Sequence, residues 1–562
     1  MDWTAGLRKS AAVVLVVLLS LVSGLKTHAQ APAAKRPNIL VIMGDDIGWF
    51  NIGAYNRGMM SGKTPNLDRL AGQGMMFTDY YAEASCTAGR ANFITGELPI
   101  RTGLTTVGQA GADIGIPDQA VTLATVLKSL GYETGQFGKN HLGDLNKYLP
   151  TVHGFDEFFG YLYHLDAMSD PYWFSYPQDW IDKYGPRDLV HSWASDVDDP
   201  TMQPRWGRVG KQRIVDEGPL PPFPQMADRQ TWQQGRPAKY NMETFDDVLV
   251  QASNNFMDKA KRDGKPFFIW HNTTRMHIFT YIPPKYQAMM NYNSNYGLEE
   301  AGMAQVDDCV GALLKHLEDI GEAENTIVIF TTDNGAEVFT WPDGGMTPFK
   351  ATKGTAFEGG FRVPAIIRWP GHVKPGVVEN GIFSGLDWLP TLTAAAGNPN
   401  ITDQLLHGVN LCGHTYKNHL DGYNQINLLL GQGPSARHEI YYFAEAQLGA
   451  IRIDDFKFRF VEQPWGWPGE KLTRDIPSIV NLRQDPFERT PSDRGESTNN
   501  GAGGYFNDFM AREFWRFVLV QQRVAALAAT AVEFPPMQAP ASFNLESVKR
   551  SVDEKMKQYQ GE

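Results

Sequence analysis

Five short strand-like runs, separated by helical patterns, constrain the fold of this chain more than any other feature of its sequence. They span residues 38–43, 133–137, 266–270, 326–330 and 364–369, and the first, third and fourth are apolar at every position after the first residue. Short continuous apolar runs are typical of strands that are buried on both faces, as in parallel sheets. Between them, apolar residues recur at helical spacing, as from Leu123 to Leu130 before Gly131. The alternation predicts an α/β domain with a large, mostly parallel sheet flanked by helices.

The pattern changes after about residue 430, where short β-type runs follow one another directly. They cover residues 440–443, 449–453, 456–461 and 479–482. Asp454-Asp455 suits a hairpin turn between two of them. Helices are predicted over residues 506–528 and 545–560. We therefore expect a large domain over residues 36–430 and a smaller C-terminal α+β subdomain over 431–562, which contains a short antiparallel sheet.

Residues 161–239 interrupt the periodic pattern of the large domain and are rich in Tyr, Trp, Pro and Asp. We interpret this stretch as an insertion over the core, because long irregular segments are commonly lids or binding loops. Its aromatic residues either pack the insertion onto the core or line a pocket for an aromatic substrate. Packing is the favoured alternative, since aromatic residues dominate ordinary cores as well.

The first 31 residues have the pattern of a secretory signal peptide. Arg8 and Lys9 precede an almost wholly apolar run over residues 11–22, and Ala29-Gln30-Ala31 offers small residues at cleavage spacing. The run is short for a membrane span, which favours a removable signal over an anchor. We expect an exported protein, periplasmic or secreted, without a stable membrane anchor. The net charge of −12 argues against a nucleic-acid partner.

Cys86 is one of only three cysteines, so it does not belong to a disulfide framework. The other two, Cys309 and Cys412, can pair in an exported protein, and the sequence leaves this open. Cys86 opens the motif Cys-Thr-Ala-Gly-Arg at a predicted helix start, with Arg90 one turn further along. On these residues alone, a buried structural thiol is favoured over a nucleophile, because a lone cysteine needs partners to count as catalytic.

Polar residues follow four of the predicted strands at their carboxyl ends, where ligands bind to sheets of this kind. Asp45 and Asp46 also suit a turn or a helix cap, but two adjacent carboxylates are costly unless a cation neutralises them. Each of the other residues, taken alone, also suits a loop. Their coincidence at four strand ends favours one shared site. The strand-end residues are Asp45, Asp46, Lys139, His141, His277, Asp333 and Asn334.

The predicted site combines hard oxygen ligands with cationic side chains. The carboxylates of Asp45, Asp46 and Asp333 and the amide of Asn334 suit Ca²⁺, with Mg²⁺ as the second choice. Zinc is less suited, since no thiolate or histidine cluster accompanies the carboxylates. A metal surrounded by cations binds a tetrahedral oxyanion such as sulfate or phosphate, and histidines suit acid and base roles. The surrounding groups are Arg90, Lys139, His141, His277 and Lys353.

With these residues in place, the chain resembles the type I sulfatases, of the arylsulfatase kind within the alkaline-phosphatase-like superfamily. The resemblance spans most of the large domain in the family's order, and it extends to the C-terminal Asn481-Leu482-Arg483-Gln484-Asp485-Pro486. Cys-x-Ala-x-Arg is specific only together with the upstream Asp pair and the downstream Asp-Asn-Gly. The matching segments are residues 38–46, 64–68, 86–90, 138–143, 332–335 and 353–362.

The resemblance implies that a formylglycine-generating enzyme converts Cys86 to Cα-formylglycine, with Arg90 as part of the recognition motif. By the same resemblance, the aldehyde at residue 86 hydrates to a geminal diol. One of its hydroxyls, held by the metal, attacks sulfur in a sulfate ester, a small molecule or a glycan, so Cys86 counts among the metal ligands. Lys139 and Arg90 would orient the diol, and His141 would take the proton when sulfate is expelled. His277 or Lys353 would protonate the leaving group. The segment around His277 departs from the family's usual form, because no proline directly precedes the histidine.

Two other functions are compatible with these residues. A phosphodiesterase or phosphonate monoester hydrolase shares this fold, and some of these enzymes also use a formylglycine. A non-enzymatic alternative is an inactive, sulfate-binding relative, although such copies commonly lose metal or motif residues and none is lost here. The sequence leaves the alcohol part of the substrate open among aryl, carbohydrate, steroid and alkyl sulfates.

Overall fold

A sheet of 10 strands forms the centre of the fold. The computed structural model describes residues 35–226, 237–344, 346–463, 465–489 and 502–543, with residues 552 and 556. The strands of the large domain are, in chain order, β1 (Asn38–Gly44), β2 (Met75–Phe77), β3 (Tyr80–Tyr81), β4 (Glu133–Lys139), β5 (Glu157–Tyr161), β6 (Leu189–Gln203), β7 (Gly207–Gly218), β8 (Phe267–Asn272), β9 (Thr326–Thr332), β10 (Ala365–Arg368), β11 (Val377–Glu379), β12 (Phe383–Ser384), β13 (Val409–Leu411) and β14 (His414–Tyr416).

The strands of the central sheet lie in the order β11-β2-β10-β9-β1-β8-β4-β5-β6-β7. The middle strands β9, β1, β8, β4 and β5 are all parallel. The first four were predicted, whereas β5 was not. The sheet as a whole is mixed, because β10 runs antiparallel to both β9 and β2, and β6 runs antiparallel to β5. Between β9 and β10 the helix Glu358–Phe361 has only 4 residues. The rest of this connection, over residues 333–344 and 346–364, is irregular, and β10 returns antiparallel to β9.

The segment predicted to be an irregular insertion contains a long β-hairpin. Strands β6 and β7 have 15 and 12 residues and pair antiparallel, with register shifts along their length. The outer half of β6 is exposed and carries Asp196, Asp198, Asp199 and Pro200. Because most of its side chains contact water, the hairpin lacks the apolar pattern that marks a buried strand.

Helices cover both faces of the sheet. The helices of seven residues or more are α1 (Pro65–Gln73), α2 (Cys86–Thr95), α3 (Leu123–Ser129), α4 (Phe245–Arg262), α5 (Leu298–Asp319), α6 (Trp388–Ala395), α7 (Ile401–His407), α8 (Ala502–Glu513) and α9 (Phe517–Glu533). Shorter helices of four or five residues are Gly53–Asn56, Pro99–Thr102, Leu165–Ser169, Ile181–Tyr184, Pro284–Gln287, Glu358–Phe361 and Ile426–Leu429.

Alternate residues of β1 enter two different hydrophobic cores. Ile39, Val41 and Met43 join one core, which also contains apolar residues of α3 and α6. Leu40 and Ile42 join the other, with residues of α4 and α5. Successive side chains of a strand point to opposite faces, so the apolar run buries β1 on both sides. This explains why the sequence alone predicts the central strands.

The C-terminal part forms the predicted antiparallel sheet. Its strands are β15 (Glu439–Ala444), β16 (Gln447–Ile453), β17 (Phe456–Glu462) and β18 (Leu472–Asn481), paired in that order. The hairpin turn between β16 and β17 lies at Asp454-Asp455, as predicted. The helix predicted over 506–528 is instead two helices, α8 and α9, separated by a 3₁₀ turn over Phe514–Arg516. The division into domains near residue 430 stays a prediction.

Three predictions concern the termini and the cysteines. The signal peptide and most of the helix predicted over 545–560 lie outside the described residues. Cys309 and Cys412 are free thiols, the first buried and the second exposed. No described helix is long and apolar enough to span a membrane.

Glu97, in the turn after α2, is fully buried. Neither oxygen of its carboxyl group has a hydrogen-bond partner among the described residues. Burial, together with the nearby Asp421 carboxylate, raises the pKa of Glu97 to about 8. The folded protein therefore keeps this group protonated under conditions in which the unfolded chain ionises it.

Glu97→Gln is expected to stabilise the protein at pH 8 but not at pH 4.5. The stabilisation from protonated Glu97 is fully present below its ordinary pKa of 4.5 and is lost as the pH rises to about 8. Glutamine keeps the shape and cannot ionise, so the Tm at pH 8 should rise by at least about 2 °C. Thermal unfolding across this pH range measures the effect, with the exposed Glu318→Gln as control. A Glu97→Gln curve that parallels the wild type would contradict the prediction.

Candidate active site

The predicted site residues meet at one edge of the central sheet. Strands β9, β1, β8 and β4 are neighbours and parallel, so their carboxyl ends lie side by side. Asp45 and Asp46 follow β1, Lys139 ends β4, and Asp333 and Asn334 follow β9. His277 lies in the loop after β8. Every predicted site residue is buried, and His277, at 5%, is the most exposed of them.

Cys86 is the first residue of α2 and is completely buried. The sulfur atom and one carboxylate oxygen each of Asp45 and Asp333 lie within 4.8 Å of one another. Gly89 permits this approach, since a Cβ atom there would lie 1.7 Å from the carbonyl oxygen of Asp333. The glycine in Cys-Thr-Ala-Gly-Arg therefore lets the helix start pack directly against the end of β9.

The thiol of Cys86 is not ionised in this environment. Burial raises the pKa of Cys86 to about 12, although the nearby ammonium groups of Lys139 and Lys353 lower it. Reactive cysteines need a lowered pKa, because the thiolate is the nucleophile. An unmodified Cys86 is therefore a poor nucleophile at neutral pH.

Each of three buried carboxylates contacts its own buried cation. Arg90 Nε lies 2.8 Å from Asp333 Oδ2, Lys353 Nζ lies 2.7 Å from Asp46 Oδ1, and Lys139 Nζ contacts Asp45 Oδ2. Removing one member of such a pair costs roughly 3–5 kcal/mol, because the other charge stays buried without compensation. The pairs hold the three cations around Cys86 in fixed positions.

Oxygen atoms without partners remain in this cluster. Asp45 Oδ1 and Asn334 Oδ1 are buried and have no hydrogen-bond partner among the described residues. Burial raises the pKa of Asp46 and of Asp333, and the neighbouring Asp45 carboxylate adds to both shifts. Crowded carboxylates and unpartnered oxygens are what a hard divalent cation neutralises. The donor set therefore fits Ca²⁺ or Mg²⁺, as the sequence predicts.

His141 faces the same cluster from the residues after β4. Its Nε2 lies 3.2 Å from the carbonyl oxygen of Gly108, which can only accept, so Nε2 carries the proton. Nδ1 is buried without a hydrogen-bond partner among the described residues. Burial and the Lys139 ammonium hold the pKa of His141 well below its usual value. The neutral ring therefore has a free lone pair on Nδ1.

Two residues that the sequence did not single out, His164 and Asp166, flank His277. His277 Nδ1 lies 3.2 Å from Asp166 Oδ1, and the rings of His164 and His277 stack at 4.8 Å. His277 Nε2 lies 3.8 Å from Asp46 Oδ2, which places the imidazole beside the carboxylate cluster. His164 and Asp166 follow β5, the next parallel strand. Their position after a strand end was the available signal, but the segment was assigned to the insertion.

Asn272 is a further residue that sequence analysis missed. It is the last residue of β8, and its Oδ1 accepts a hydrogen bond from Arg90 Nη1 at 2.7 Å. Arg90 Nη1 also donates to the carbonyl oxygen of Lys139 at 3.2 Å. Together with the Asp333 contact, these bonds fix the guanidinium at the base of the cluster. A strand-end asparagine beside predicted site residues was the signal for it.

A cavity of about 440 Å³ opens from this cluster to the surface. Lys353, His277 and His164 are among the residues that line it. Its walls include Tyr176, Trp180 and Tyr184 from the segment predicted to be an insertion. A cavity of this size suits a small ligand. The prediction that the aromatic residues of this segment chiefly pack onto the core is therefore incomplete, because some of them line this cavity.

Comparison with protein families matches residues 37–398 to the family described as Sulfatase. The chain belongs to the sulfatase family. Arylsulfatase A of Bos taurus is 34% identical over 488 residues, covering 82% of this chain and 84% of the relative. N-acetylgalactosamine-6-sulfatase of Homo sapiens is 30% identical over 494 residues, with 82% of each chain covered.

Solved structures agree with this assignment. The crystal structure of the PsFucS1 sulfatase from Pseudoalteromonas sp. has a TM-score of 0.71 and 26% identity, covering 94% of this chain and 95% of that one. The alkaline-phosphatase-like α/β fold and the arylsulfatase-like family predicted from the sequence are confirmed. This sulfatase is a sulfuric ester hydrolase: it cleaves sulfate esters.

Proposed function

We propose that this sulfatase hydrolyses sulfate monoesters with a Cα-formylglycine made from Cys86 and a divalent cation held by Asp45, Asp46, Asp333 and Asn334. Ca²⁺ is the first candidate and Mg²⁺ the second, because all four side chains offer hard oxygen ligands. The observation that carries the proposal is the position of Cys86. It starts a buried helix within 4.8 Å of two of these carboxylates.

The modification supplies chemistry that the thiol lacks. The hydrated aldehyde of formylglycine provides a hydroxyl nucleophile, and the bound cation offsets the charge on the sulfate oxygens. Cys86 is completely buried in the folded chain. A formylglycine-generating enzyme would therefore act on the chain before it folds.

The remaining side chains hold the reacting groups and move protons. Lys139 and Arg90 are fixed by Asp45 and Asp333, so their positive charges face residue 86 and a sulfate bound beside it. Nδ1 of neutral His141 takes a proton from the hydroxyl at residue 86 when sulfate is expelled. The bond from His141 Nε2 to Gly108 fixes the tautomer that this role needs.

Lys353 is the better candidate for protonating the leaving group. Although burial opposes it, the carboxylates of Asp46 and Glu337 hold the pKa of Lys353 well above its usual value, so the ammonium is charged. Burial and the Lys353 charge lower the pKa of His277 to about 3, which leaves the imidazole neutral. The one N–H of the neutral ring would then face Asp166, whose Oδ1 lies 3.2 Å from Nδ1. Asp166 would thus orient the ring beside the sulfate group and leave no proton on Nε2 for the leaving group.

Lys353→Met is expected to slow the hydrolysis of sulfate esters with weakly acidic leaving groups more than the hydrolysis of esters with acidic phenols. A poor leaving group needs the proton, whereas 4-nitrophenolate leaves without it. The loss of kcat should be at least about tenfold greater for phenyl sulfate than for 4-nitrophenyl sulfate. His277→Gln serves as the matched variant and should slow both esters by the same factor. The opposite pattern would assign proton donation to His277.

The function is tested by comparing sulfate release from 4-nitrophenyl sulfate with hydrolysis of bis(4-nitrophenyl) phosphate. The protein must be produced in a host that oxidises the cysteine of this motif. We expect the sulfate ester to be preferred in kcat/KM. A clear preference for the phosphodiester would instead favour a phosphodiesterase, and no turnover of either ester would favour an inactive relative.

Export is the remaining part of this proposal. The basic residues, apolar run and small residues over 1–31 are the pattern of a secretory signal, which would place the mature enzyme in the periplasm or outside the cell. N-terminal sequencing of the exported protein tests it. A mature protein that retains Met1 would contradict cleavage.

A further inference from the structure

The cavity beside the catalytic cluster is the place where the alcohol part of a sulfate ester would lie. Lys353 and His277 line it and are themselves buried. If they contact the sulfate group and the leaving oxygen, as proposed above, the group attached to that oxygen must extend into this cavity. The walls of the cavity therefore decide which esters fit.

Aromatic rings with exposed faces surround the cavity. Phe339, Trp180 and Tyr184 line it and are 54%, 50% and 53% exposed. Trp467, from the C-terminal part of the chain, lies nearly parallel to Phe339, with ring centroids 6.4 Å apart and an angle of 9°. Clustered exposed apolar side chains indicate a binding site more often than isolated ones do. Such rings suit a flat partner, an aryl ring or one face of a sugar.

Trp467 also lies close to the reacting groups. The Lys353 ammonium is 5.7 Å from the centre of its indole ring. Gly354, next to Lys353, permits this approach, since a Cβ there would lie 2.1 Å from the Trp467 ring. Trp467 is therefore placed to contact the first ring beyond the sulfate group.

The charged groups of the cavity wall are mainly acidic. Asp166, Asp170 and Glu337 line it, whereas Lys353 is the one lysine or arginine among the described residues that do so. Lys353 is already paired with Asp46 and contacts Glu337 at 3.6 Å. Asp170 has no ion pair with a lysine or arginine among the described residues. A second anionic group that lay near Asp170 would thus face a carboxylate that no described lysine or arginine pairs with.

We infer that this cavity selects sulfate esters whose alcohol part is an uncharged ring, a neutral sugar or an aryl group, over esters that carry a second sulfate or a carboxylate. The inference rests on the proposed function of the same site. The aromatic walls supply the affinity for the ring, and Asp170 supplies the discrimination against a further negative charge.

Discrimination by charge is tested with two nearly isosteric esters, 4-carbamoylphenyl sulfate and 4-carboxyphenyl sulfate. Asp170→Asn is expected to raise kcat/KM for the carboxylate ester, relative to the amide ester, by about fivefold. The two phenols differ in intrinsic reactivity, but this difference cancels when the ratio of the two kcat/KM values is compared between the variant and the wild type. Asp403→Asn on the surface helix α7 is the matched control and should leave the ratio unchanged.

A ratio that Asp170→Asn changes by less than twofold would overturn the inference about charge. A preference of the wild-type enzyme for methyl galactoside disulfates over the corresponding monosulfates would also overturn the inference about charge. Hydrolysis of 4-nitrophenyl sulfate distinguishes these results from a failure of the proposed function. If no sulfate ester is cleaved at all, the proposed function and the selectivity inferred from it are both contradicted.

The aromatic wall is tested with two tryptophans of the same loop. Trp467→Ala should raise KM for 4-carbamoylphenyl sulfate by about tenfold, since stacking and burial of the ring are lost. Trp465→Ala removes a tryptophan that is 78% exposed and lies outside the cavity, and it should change KM by less than twofold. Thermal unfolding of both variants controls for folding. Equal effects on KM would overturn the assignment of Trp467.

Discussion

Replacement of Cys86 with alanine is expected to abolish sulfate ester hydrolysis and to leave the fold intact. Loss of a nucleophile lowers kcat by several orders of magnitude, so we expect a decrease of about 10⁴-fold or more on 4-nitrophenyl sulfate. The smaller side chain fits without strain, because Cys86 makes no ion pair and only begins α2. Sulfate release gives the activity, and thermal unfolding checks the fold.

Cys86→Ser separates the modification from the shape of the side chain. In a host that oxidises only cysteine at this position, the serine variant should be as inactive as the alanine variant. Cys309→Ser is the matched control, since Cys309 is also a buried free thiol but lies on α5 among apolar residues. Full activity of Cys86→Ser in such a host would contradict the formylglycine mechanism.

Mass analysis of the peptide around Cys86 gives an independent result. Active enzyme should contain the aldehyde in place of the thiol, and the active fraction of each preparation should follow the modified fraction. The thiol has a pKa of about 12 in this site and does not ionise at neutral pH. An active preparation with only unmodified cysteine would therefore contradict both the mechanism and this account of the thiol.

Most of the central strands were predictable because a hydrophobic core covers each face of the sheet at these strands. A strand covered by helices on both faces is buried at every position, and apolar residues fill most positions of β1, as Leu40 and Val41 in different cores illustrate. The buried strand β4 is more polar. The hairpin of β6 and β7 was not predictable by the same rule, because its outer part contacts water. The direction of β10, which runs antiparallel to β9, was not predictable either, because an apolar run does not report the direction of a strand.

The predicted site followed from topology more than from local sequence. Parallel neighbouring strands bring their carboxyl ends together, so polar residues after β1, β4, β8 and β9 had to meet. Asn272, His164 and Asp166 were missed for a different reason. Their roles depend on contacts with Arg90 and His277, which the strand register and the loop after β5 determine.

The proposed cation site brings buried carboxylates close together. Asp333 is paired with Arg90 at 2.8 Å, and one of its oxygens lies within 4.8 Å of the Cys86 sulfur and of an Asp45 oxygen. Burial, with the Asp45 charge close by, raises the pKa of Asp333. The Asp45 and Asp333 carboxylates repel each other across this short distance, although Arg90, Lys139 and Lys353 oppose the effect. A bound divalent ion would reduce the remaining repulsion.

Asp333→Asn is therefore expected to lose both the cation and the activity. Elemental analysis should show about one Ca²⁺ or Mg²⁺ per wild-type chain and almost none in the variant, with kcat/KM about 10²–10³-fold lower. Asp308→Asn, on the surface of α5, is the control and should keep both the cation and the activity.

Because Asp333→Asn also leaves Arg90 without its carboxylate partner, chelation of the wild type is the cleaner test. It should remove activity, and Ca²⁺ should restore it better than Mg²⁺. Full activity of Asp333→Asn with normal metal content would place the cation elsewhere.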